Sequence, residues 1–249
     1  MVMNSDVKKL FEHVDMQEIG SVTENDLQSL PEVVQKYLRF TGIVGKKMIK
    51  TVRLRQRGDF RLKPDQNFKK MEAVQYFNVD LMEFYWKGKV MIVTATDRFI
   101  EGKGDLMVKL LGLFKVAYAE GPEVDQGEIL RFLAEGVWFP SVFVKDYIMW
   151  EEIDDHTAKA TITHNNLRAT ATFFFNEKNQ VEKITAKRYM ERDGKFELKD
   201  WEIIIKEYKE FNDIRIPYRS EVIWKLENGD FCWYKPEVYE IEYNEMKEY

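Results

Sequence analysis

The chain has few of the residues that most often crosslink proteins or bind metals. Among its 249 residues there is one cysteine, Cys232, and there are three histidines. A single cysteine excludes both an intramolecular disulfide and a cysteine-based zinc site. His156 and His164 fall at opposite ends of one predicted strand, about 26 Å apart at ~3.3 Å per residue, so they cannot share a metal ion. We therefore expect no metal and no cofactor.

Long apolar runs and an excess of basic residues are also missing. The longest apolar stretch, "LMVKLLGLFKVAYA", is interrupted by Lys109, Gly112 and Lys115, and no run approaches the ~18 residues of a membrane span. The net charge of -5 is the reverse of the usual nucleic-acid-binding surface. The first 20 residues show no apolar signal-peptide core. We expect no nucleic-acid partner, no transmembrane segment and a cytoplasmic location.

Short sequence motifs that identify a cofactor-binding or catalytic site are missing too. The segment "EGKGD" places Gly102 and Gly104 at dinucleotide-binding spacing, but Met107 stands where the third glycine should be. There is no phosphate-binding loop, no nucleophile elbow and no zinc-protease helix motif. No reaction can be assigned from motifs alone.

Aromatic residues and regular periodicities are what the chain has in abundance. It contains 6 Trp, 12 Tyr and 17 Phe, as sheets and apolar pockets often do. Residues 1–42 show helical spacing, in "DVKKLFEHV" and in "SLPEVVQKYL", which Gly42 follows. From residue 47 to about 245 the period is two, with turn signals at "KGK", "HNN", "NEKN", "RDGK" and "ENGD". This pattern predicts a single domain, 1–249, built on an antiparallel meander.

One helix, at about 125–135, interrupts the meander. In "DQGEILRFLAEG" we expect Asp125 to cap the helix and Gly136 to stop it. Glu128, Arg131 and Glu135 share one face of it. If this face is exposed, they form a row of solvated ion pairs. If it is buried, their charges must pair with each other, and they become polar contacts in a pocket.

The strand faces indicate what lies inside. Ala158 and Ala160, then Ala169 and Ala171, place small side chains on the predicted inner face, which must be covered by a helix or enclose a cavity. Arg188 points to the same side, either as a rim residue reaching solvent or as an anchor inside a cavity. Three arginines on the first long strand share its outer face, which is solvated or contacts an anionic ligand or membrane; they are Arg53, Arg55 and Arg57.

The segment "RFLAEGVWFP" carries a resemblance to a known family. It resembles the Arg-aromatic-Leu-x-Glu-x-x-Trp-x-Pro signature of a bacterial and archaeal family of unknown function. The matching residues are Arg131, Phe132, Leu133, Glu135, Trp138 and Pro140. Over about residues 29–245 there are further matches, namely "LPEVVQKYL", "QRGDF", "DRFIEGKGDL", "WEEIDD", "FFFNEKNQVEKITAKRY", "IPYRSEVIWKL" and "YEIEYN".

The expected architecture is similar to the lipoprotein carriers of the LolA type. That resemblance implies an α+β fold: a long curved antiparallel sheet, or incomplete barrel, with N-terminal helices and one inserted helix packed on or into it. In such carriers the concave apolar face holds acyl chains. The resemblance itself says nothing about catalysis.

Three functions remain open at this point. The favoured one is binding of a lipid or another apolar small molecule, with Trp138 and Phe139 as an aromatic lip and Arg131 and Arg188 as polar anchors. The second is an enzyme using carboxylate acid–base chemistry around Glu135 and Arg131. The third is a structural or interaction protein without a ligand, and the oligomeric state stays open. The expected ligand-contacting residues are Trp86, Arg131, Glu135, Trp138, Phe139, Arg188, Trp201 and Trp224.

Overall fold

Three short helices precede the sheet. The computed structural model describes residues 3–192 and 194–249. In it α1 is Ser5–Phe11, α2 is Glu24–Leu27 and α3 is Glu32–Thr41. The last of these ends where Gly42 adopts a left-handed conformation, φ 76°, which glycine tolerates without steric cost. The expected N-terminal helices are therefore present.

The remaining chain forms two antiparallel meanders separated by a helix. The first meander contains β1 (Thr51–Phe60), β2 (Lys69–Asn78), β3 (Glu83–Val90), β4 (Val93–Ile100), β5 (Lys103–Leu110) and β6 (Phe114–Glu120). The helix α4, Pro122–Glu135, follows, and then two 3-10 turns, Gly136–Trp138 and Pro140–Val144. The second meander contains β7 (Ile148–Asp154), β8 (Thr157–His164), β9 (Leu167–Phe175), β10 (Val181–Arg192), β11 (Lys195–Phe211), β12 (Ile214–Leu226) and β13 (Gly229–Tyr243).

All 13 strands belong to one sheet because the first and last strands pair. The order is β6-β5-β4-β3-β2-β1-β13-β12-β11-β10-β9-β8-β7, and every neighbouring pair is antiparallel. The join runs from Val52 opposite Tyr243 to Phe60 opposite Tyr234. The turn "ENGD" connects β12 to β13, as its Asn-Gly pair indicates. The expected antiparallel fold class is confirmed.

The sheet curls around α4 as a half-barrel. This helix packs on β9 and β10 in the second meander and on β4 and β5 in the first. Since β5 and β9 stand at positions 2 and 11 of the sheet order, only a strongly curved sheet can bring both against one helix. The rings of Phe99 on β4 and His164 on β8 also meet, with centroids 5.9 Å apart. The alanines of β8 and β9 are fully buried beneath the helix, as their small size suggested.

Three of the expected local features differ in the structure. "KGK" is not a turn but lies within β3, where the Trp86 ring covers Gly88 so closely that a β-carbon there would lie 2.2 Å from it. The helix α4 begins at Pro122, so Asp125 lies in its first turn rather than at its cap. Gly136 does not stop the chain's helical course, since its φ of -52° leads directly into a 3-10 turn. Its role is close packing, because a β-carbon would lie 2.8 Å from Val142.

The three arginines of β1 have acidic partners across the join between the meanders. They form ion pairs on the outer face with residues of β13: Arg53 with Glu242, Arg55 with Glu240 and Arg57 with Glu237. Because each arginine already has an acidic partner, these contacts argue against an anion-binding face. The face is solvated only in part, since Arg53 exposes 14% of its side chain and Arg57 exposes 61%.

The join between the meanders depends on Gly58. A β-carbon at this position would lie 2.5 Å from the Lys235 carbonyl oxygen and 3.0 Å from the Tyr234 ring. We expect Gly58→Ala to lower the free energy of unfolding by about 2 kcal/mol, because β1 and β13 must move apart. Urea denaturation measures this. Gly20→Ala is the control, since nothing lies within 4 Å of its β-carbon position. Equal stabilities of the two variants would contradict the assignment.

Candidate functional site

Charged side chains of α4 lie inside the half-barrel. Arg131 donates to Asp97 of β4 at 2.5 Å and to Glu135 at 2.8 Å. Its guanidinium also lies 4.9 Å from the ring centroid of Phe84 and 5.5 Å from that of Trp86. We refer to Asp97, Glu128, Arg131, Glu135 and Arg188 as the buried charge cluster. Their side chains expose between 7% and 14% of their surface, so the buried interpretation of this helix face is the correct one.

Two glutamines anchor one end of the cluster. Gln75 on β2 donates to the second oxygen of Glu135 at 2.7 Å and accepts from Gln56 on β1 at 3.1 Å. The Gln56 side-chain oxygen accepts in turn from the Trp86 indole at 3.3 Å and the Tyr234 hydroxyl at 3.0 Å. Both oxygens of Glu135 are therefore occupied, and its carboxylate is held in one orientation.

The opposite end of the cluster is less completely paired. Arg188 donates to Glu128 at 3.4 Å, and its guanidinium lies 5.3 Å from the Trp201 ring centroid. The second oxygen of Glu128 and one oxygen of Asp97 are buried without a hydrogen-bond partner among the described residues. Buried polar atoms of this kind mark sites that are adapted to something besides packing.

The cluster contains three carboxyl groups but two guanidinium groups. Burial, together with the nearby charge of Asp97, raises the pKa of Glu128 to about 8. Burial also raises the pKa of Asp97 and Glu135, against the lowering effect of Arg131. Burial opposes the charge of Arg131, but the surrounding carboxylates outweigh it and raise the pKa of this arginine. At neutral pH Glu128 therefore keeps its proton, which removes one negative charge from the cluster.

A cleft adjoins the cluster where two strands of the sheet separate. The β9–β10 ladder begins with Val181 opposite Phe175 and ends with Thr185 opposite Thr172. Beyond that pair β9 continues against β8, and β10 continues against β11. The gap is a cleft of about 840 Å³. It is lined by Gln126, Arg168, Ala169, Thr170, Thr172, Thr185, Ala186, Lys187, Tyr189, Leu198, Asp200, Trp201, Glu202 and Lys225.

The inner wall of the cleft is shared with the cluster. Trp201 lines the cleft and carries the Arg188 guanidinium over its ring. Gln126, on the first turns of α4, also lines the cleft, and its side-chain oxygen is buried without a partner among the described residues. The indole nitrogen of Trp201 is likewise buried without a hydrogen-bond partner among the described residues. A ligand entering between β9 and β10 would therefore meet unused hydrogen-bonding groups.

Most of the residues expected at a ligand site are brought together. Trp86, Arg131 and Glu135 belong to one hydrogen-bonded unit, and Arg188 and Trp201 join it to the cleft. Trp224, on β12, lies directly opposite Trp201.

Two of the expected residues lie elsewhere. Phe139 is fully buried, its ring 4.7 Å from that of Phe77, and Trp138 donates through its indole nitrogen to the Pro217 carbonyl at 3.0 Å. The expected aromatic lip is wrong, because α4 lies inside the sheet and its C-terminal continuation enters the core.

Sequence reasoning missed the partners that the sheet contributes. Asp97 follows Ala95 and precedes Phe99 on the inner face of β4, and Gln56 follows Leu54 on that of β1. A polar residue at an inward position of an alternating strand was the available signal. Gln75 had the same signal, on β2.

Comparison with known proteins places the chain in a family. Residues 20–236 match the family described as "Family of unknown function (DUF6544)". The chain belongs to this family. None of the curated protein sequences compared with the chain matches it. The part of the chain that the structure describes has no helix long and apolar enough to cross a membrane, and no group of three acidic, His or Cys side chains in it is placed to hold a metal ion.

Two solved structures show a distant similarity to this family member. A LolA superfamily protein from Nitrosomonas europaea is 11% identical, with a TM-score of 0.47 over 85% of this chain and 94% of that one. A DUF1329 family protein from Desulfovibrio piger is 8% identical, with a TM-score of 0.46 over 87% of this chain and 93% of that one. These likenesses do not extend to a function.

The proton on Glu128 makes stability depend on pH. In the unfolded chain this carboxyl titrates near 4.5, and in the folded chain at about 8. Protonation therefore stabilises the fold fully below pH 4.5, and the stabilisation is lost as the pH rises to about 8. We expect a loss of roughly a few kcal/mol over this range, which Glu128→Gln should reduce because the amide stays neutral, while Asp97 and Glu135 still contribute in the same direction. Urea denaturation across the pH range measures it.

The matched control is Glu177→Gln, at an exposed carboxylate. It should keep the pH dependence of the unmodified chain. If Glu128→Gln retains that dependence in full as well, Glu128 does not carry the buried proton.

Proposed function

We propose that this protein binds an apolar or amphipathic small molecule in the cleft between β9 and β10. The observation that carries the proposal is the end of the β9–β10 ladder at Thr172 and Thr185, which opens the wall of the half-barrel. The cleft volume of about 840 Å³ falls within the range of roughly 300–1,000 Å³ typical of small-molecule sites. The LolA-like architecture expected from the sequence is compatible with such a ligand.

The walls of the cleft suit a ligand with two chemically different ends. Ala169, Ala186 and Trp201 give the inner part an apolar surface, and the two alanines leave volume that larger side chains would fill. The rim carries charged residues that are mostly paired, such as Lys187 with Asp200 at 2.7 Å. An apolar tail would lie against Trp201, and a polar head would remain at the rim.

The buried charge cluster supports this orientation. With Glu128 protonated, and with Asp97 and Glu135 paired with Arg131, the inner wall presents mainly hydrogen-bonding groups. An uncharged ligand end could accept from the Trp201 indole or donate to the Gln126 oxygen, both of which lack partners among the described residues. In this proposal the cluster forms the polar inner wall of the cleft, and Arg188 positions Trp201.

Filling the cleft should weaken uptake of the ligand. Ala186→Trp places a large ring where a half-buried alanine lines the cleft, so we expect at least a tenfold loss of retained apolar ligand, roughly the effect of losing 1.4 kcal/mol of binding. Native mass spectrometry of the full chain, after incubation with a mixture of fatty acids and phospholipids, measures retention. Met149→Trp is the control, because Met149 is exposed on β7 and does not line the cleft.

Two results would overturn the proposal. One is an unmodified chain that retains none of these compounds. The other is equal retention by the Ala186→Trp and Met149→Trp variants. The first result would favour a structural or interaction protein, and the second would place the ligand outside this cleft.

A second candidate function is acid–base catalysis, with the assignment of its residues changed. Glu135 has both oxygens occupied, whereas Glu128 keeps one oxygen unpartnered and has its pKa raised to about 8 by burial and Asp97. A carboxyl group that titrates near neutrality beside a cleft is the type of acid that proton-transfer enzymes use.

An activity screen with two matched variants tests this candidate. We expect any turnover to fall at least 100-fold in Glu128→Gln, and its dependence on a group titrating near pH 8 to disappear with it. Glu135→Gln should retain that pH dependence. Turnover that is unchanged in Glu128→Gln would exclude the candidate.

A further inference from the structure

Large apolar side chains are concentrated at the tips of two adjacent hairpins. Met91 and Ile92 form the β3–β4 turn, and Leu111, Leu113 and Phe114 lie at the β5–β6 turn. These five side chains, here named the apolar tip, are between 54% and 78% exposed. The Leu111 amide donates to the Ile92 carbonyl at 2.8 Å, which holds the two turns side by side. A contiguous exposed apolar patch of this kind marks an interaction surface.

The apolar residues occupy turn positions that usually take other residue types. Met91 has φ 53° and Leu111 has φ 52°, in the left-handed region where glycine and asparagine are usual. Bulky side chains at such positions strain the backbone. Their presence at both turns suggests that the apolar surface itself is what the tip supplies.

A row of lysines stands directly behind the apolar tip. Cross-strand pairing places Lys89 opposite Thr94, Thr94 opposite Lys109, and Lys109 opposite Lys115. Directly opposed residues share a face, so the three lysines lie on one side of the sheet, with Lys87 on the same side one row further back. We name Lys87, Lys89, Lys109 and Lys115 the lysine collar.

The collar has little acidic compensation in the part of the chain that the structure describes, where Glu72 of β2 stands opposite Lys89 without forming an ion pair with it. Among the described residues none of its four ammonium groups forms an ion pair, whereas lysines beside it in the sheet do, such as Lys103 with Asp125 and Lys70 with Asp59. Lys109 and Lys115 stand directly opposite each other, an arrangement that destabilises a sheet unless an anion lies nearby. The collar is a local positive surface on a chain whose net charge is -5.

We propose that the apolar tip and the lysine collar together form a docking surface for an anionic lipid bilayer. Apolar side chains at the ends of two turns can enter the acyl boundary, while lysines one row behind them reach the headgroup phosphates. Lysines alone would be explained by protection of the edge strand β6 against pairing with another chain. That explanation does not account for five exposed apolar side chains at the same place.

The geometry also orients the protein on the bilayer. The negative charge elsewhere on the chain is repelled by an anionic surface, and the collar is attracted to it, so the hairpin end faces the membrane. The surface is distinct from the cleft between β9 and β10, and docking does not depend on the ligand proposed there.

Vesicle flotation with the full chain tests the charge requirement. We expect the unmodified chain to float with vesicles of phosphatidylcholine and phosphatidylglycerol, and much less with phosphatidylcholine alone. Each lysine near an anionic surface accounts for roughly a fivefold change in affinity, so the combined change Lys89→Gln, Lys109→Gln and Lys115→Gln should weaken binding on the order of 100-fold. The control combines Lys63→Gln, Lys69→Gln and Lys178→Gln, three exposed lysines outside the collar.

A second pair of variants tests the apolar contribution. Leu113→Ser with Phe114→Ser should abolish flotation, whereas Met149→Ser with Ile153→Ser, which change two exposed apolar residues of β7, should leave it intact. Circular dichroism confirms that each variant is folded.

Three results would overturn the proposal. The first is an unmodified chain that does not float with anionic vesicles at low salt, and the second is tip variants that bind as well as the β7 variants. The third is concentration-dependent self-association, seen by sedimentation, that the tip variants abolish while vesicle binding persists; this would assign the tip to a second copy of the chain.

Discussion

The buried ion pairs between α4 and the curled sheet are the interaction on which the rest of the structure depends. A helix with Arg131 and Glu135 facing inward would be costly to bury without partners, because each unpaired charge carries a desolvation penalty of several kcal/mol. Asp97 reaches Arg131 from β4, and Arg188 reaches Glu128 from β10. These strands belong to different meanders, so the charges are satisfied only when the sheet curls round the helix. The buried charges of α4 can therefore be paired only if the sheet is curved.

The same requirement explains the unusual distribution of side-chain sizes inside the sheet. A helix enclosed on several sides needs room, and the alanines of β8 and β9 provide it where α4 packs most closely. On the other side of the helix, Phe132 packs against Phe77 and Phe139. Strands β9 and β10 begin to separate at Thr185 of β10. Arg188 lies three residues further along β10 and points to the inner face of the sheet. The opening in the wall thus lies next to the side chain that ties β10 to the helix.

The strands, the N-terminal helices and the inward direction of Arg188 could be predicted because each is encoded by a local period. A period of two assigns residues to faces whatever the strand later pairs with. The Asn-Gly turn before β13 is likewise a local property. The structure therefore departs little from the expected class of fold.

What could not be predicted are contacts between segments far apart in sequence. Nothing near Trp138 or Phe139 shows that the helix before them lies inside the sheet, so their place in the core was missed. The sequence around Gly88 predicts a turn, because the role of this glycine, to accept the Trp86 ring, depends on a rotamer rather than on its neighbours in the chain. Whether the carboxylate of Glu135 is solvated or has all its hydrogen bonds made within the protein depends on Gln75, 60 residues earlier in the chain.

The state of the Glu128 proton also constrains which end of a ligand could enter the cleft. With that proton in place, the buried charge cluster has one negative charge fewer, and Arg188 donates to a protonated carboxyl group at 3.4 Å. A ligand that brought an anionic group to Arg188 would add negative charge beside Glu128 and Asp97, and would hold the Glu128 proton more tightly. Such binding would take up protons as the pH approaches 8, by linkage. An apolar end against Trp201 would leave the proton where it is, so proton uptake on binding distinguishes the two orientations.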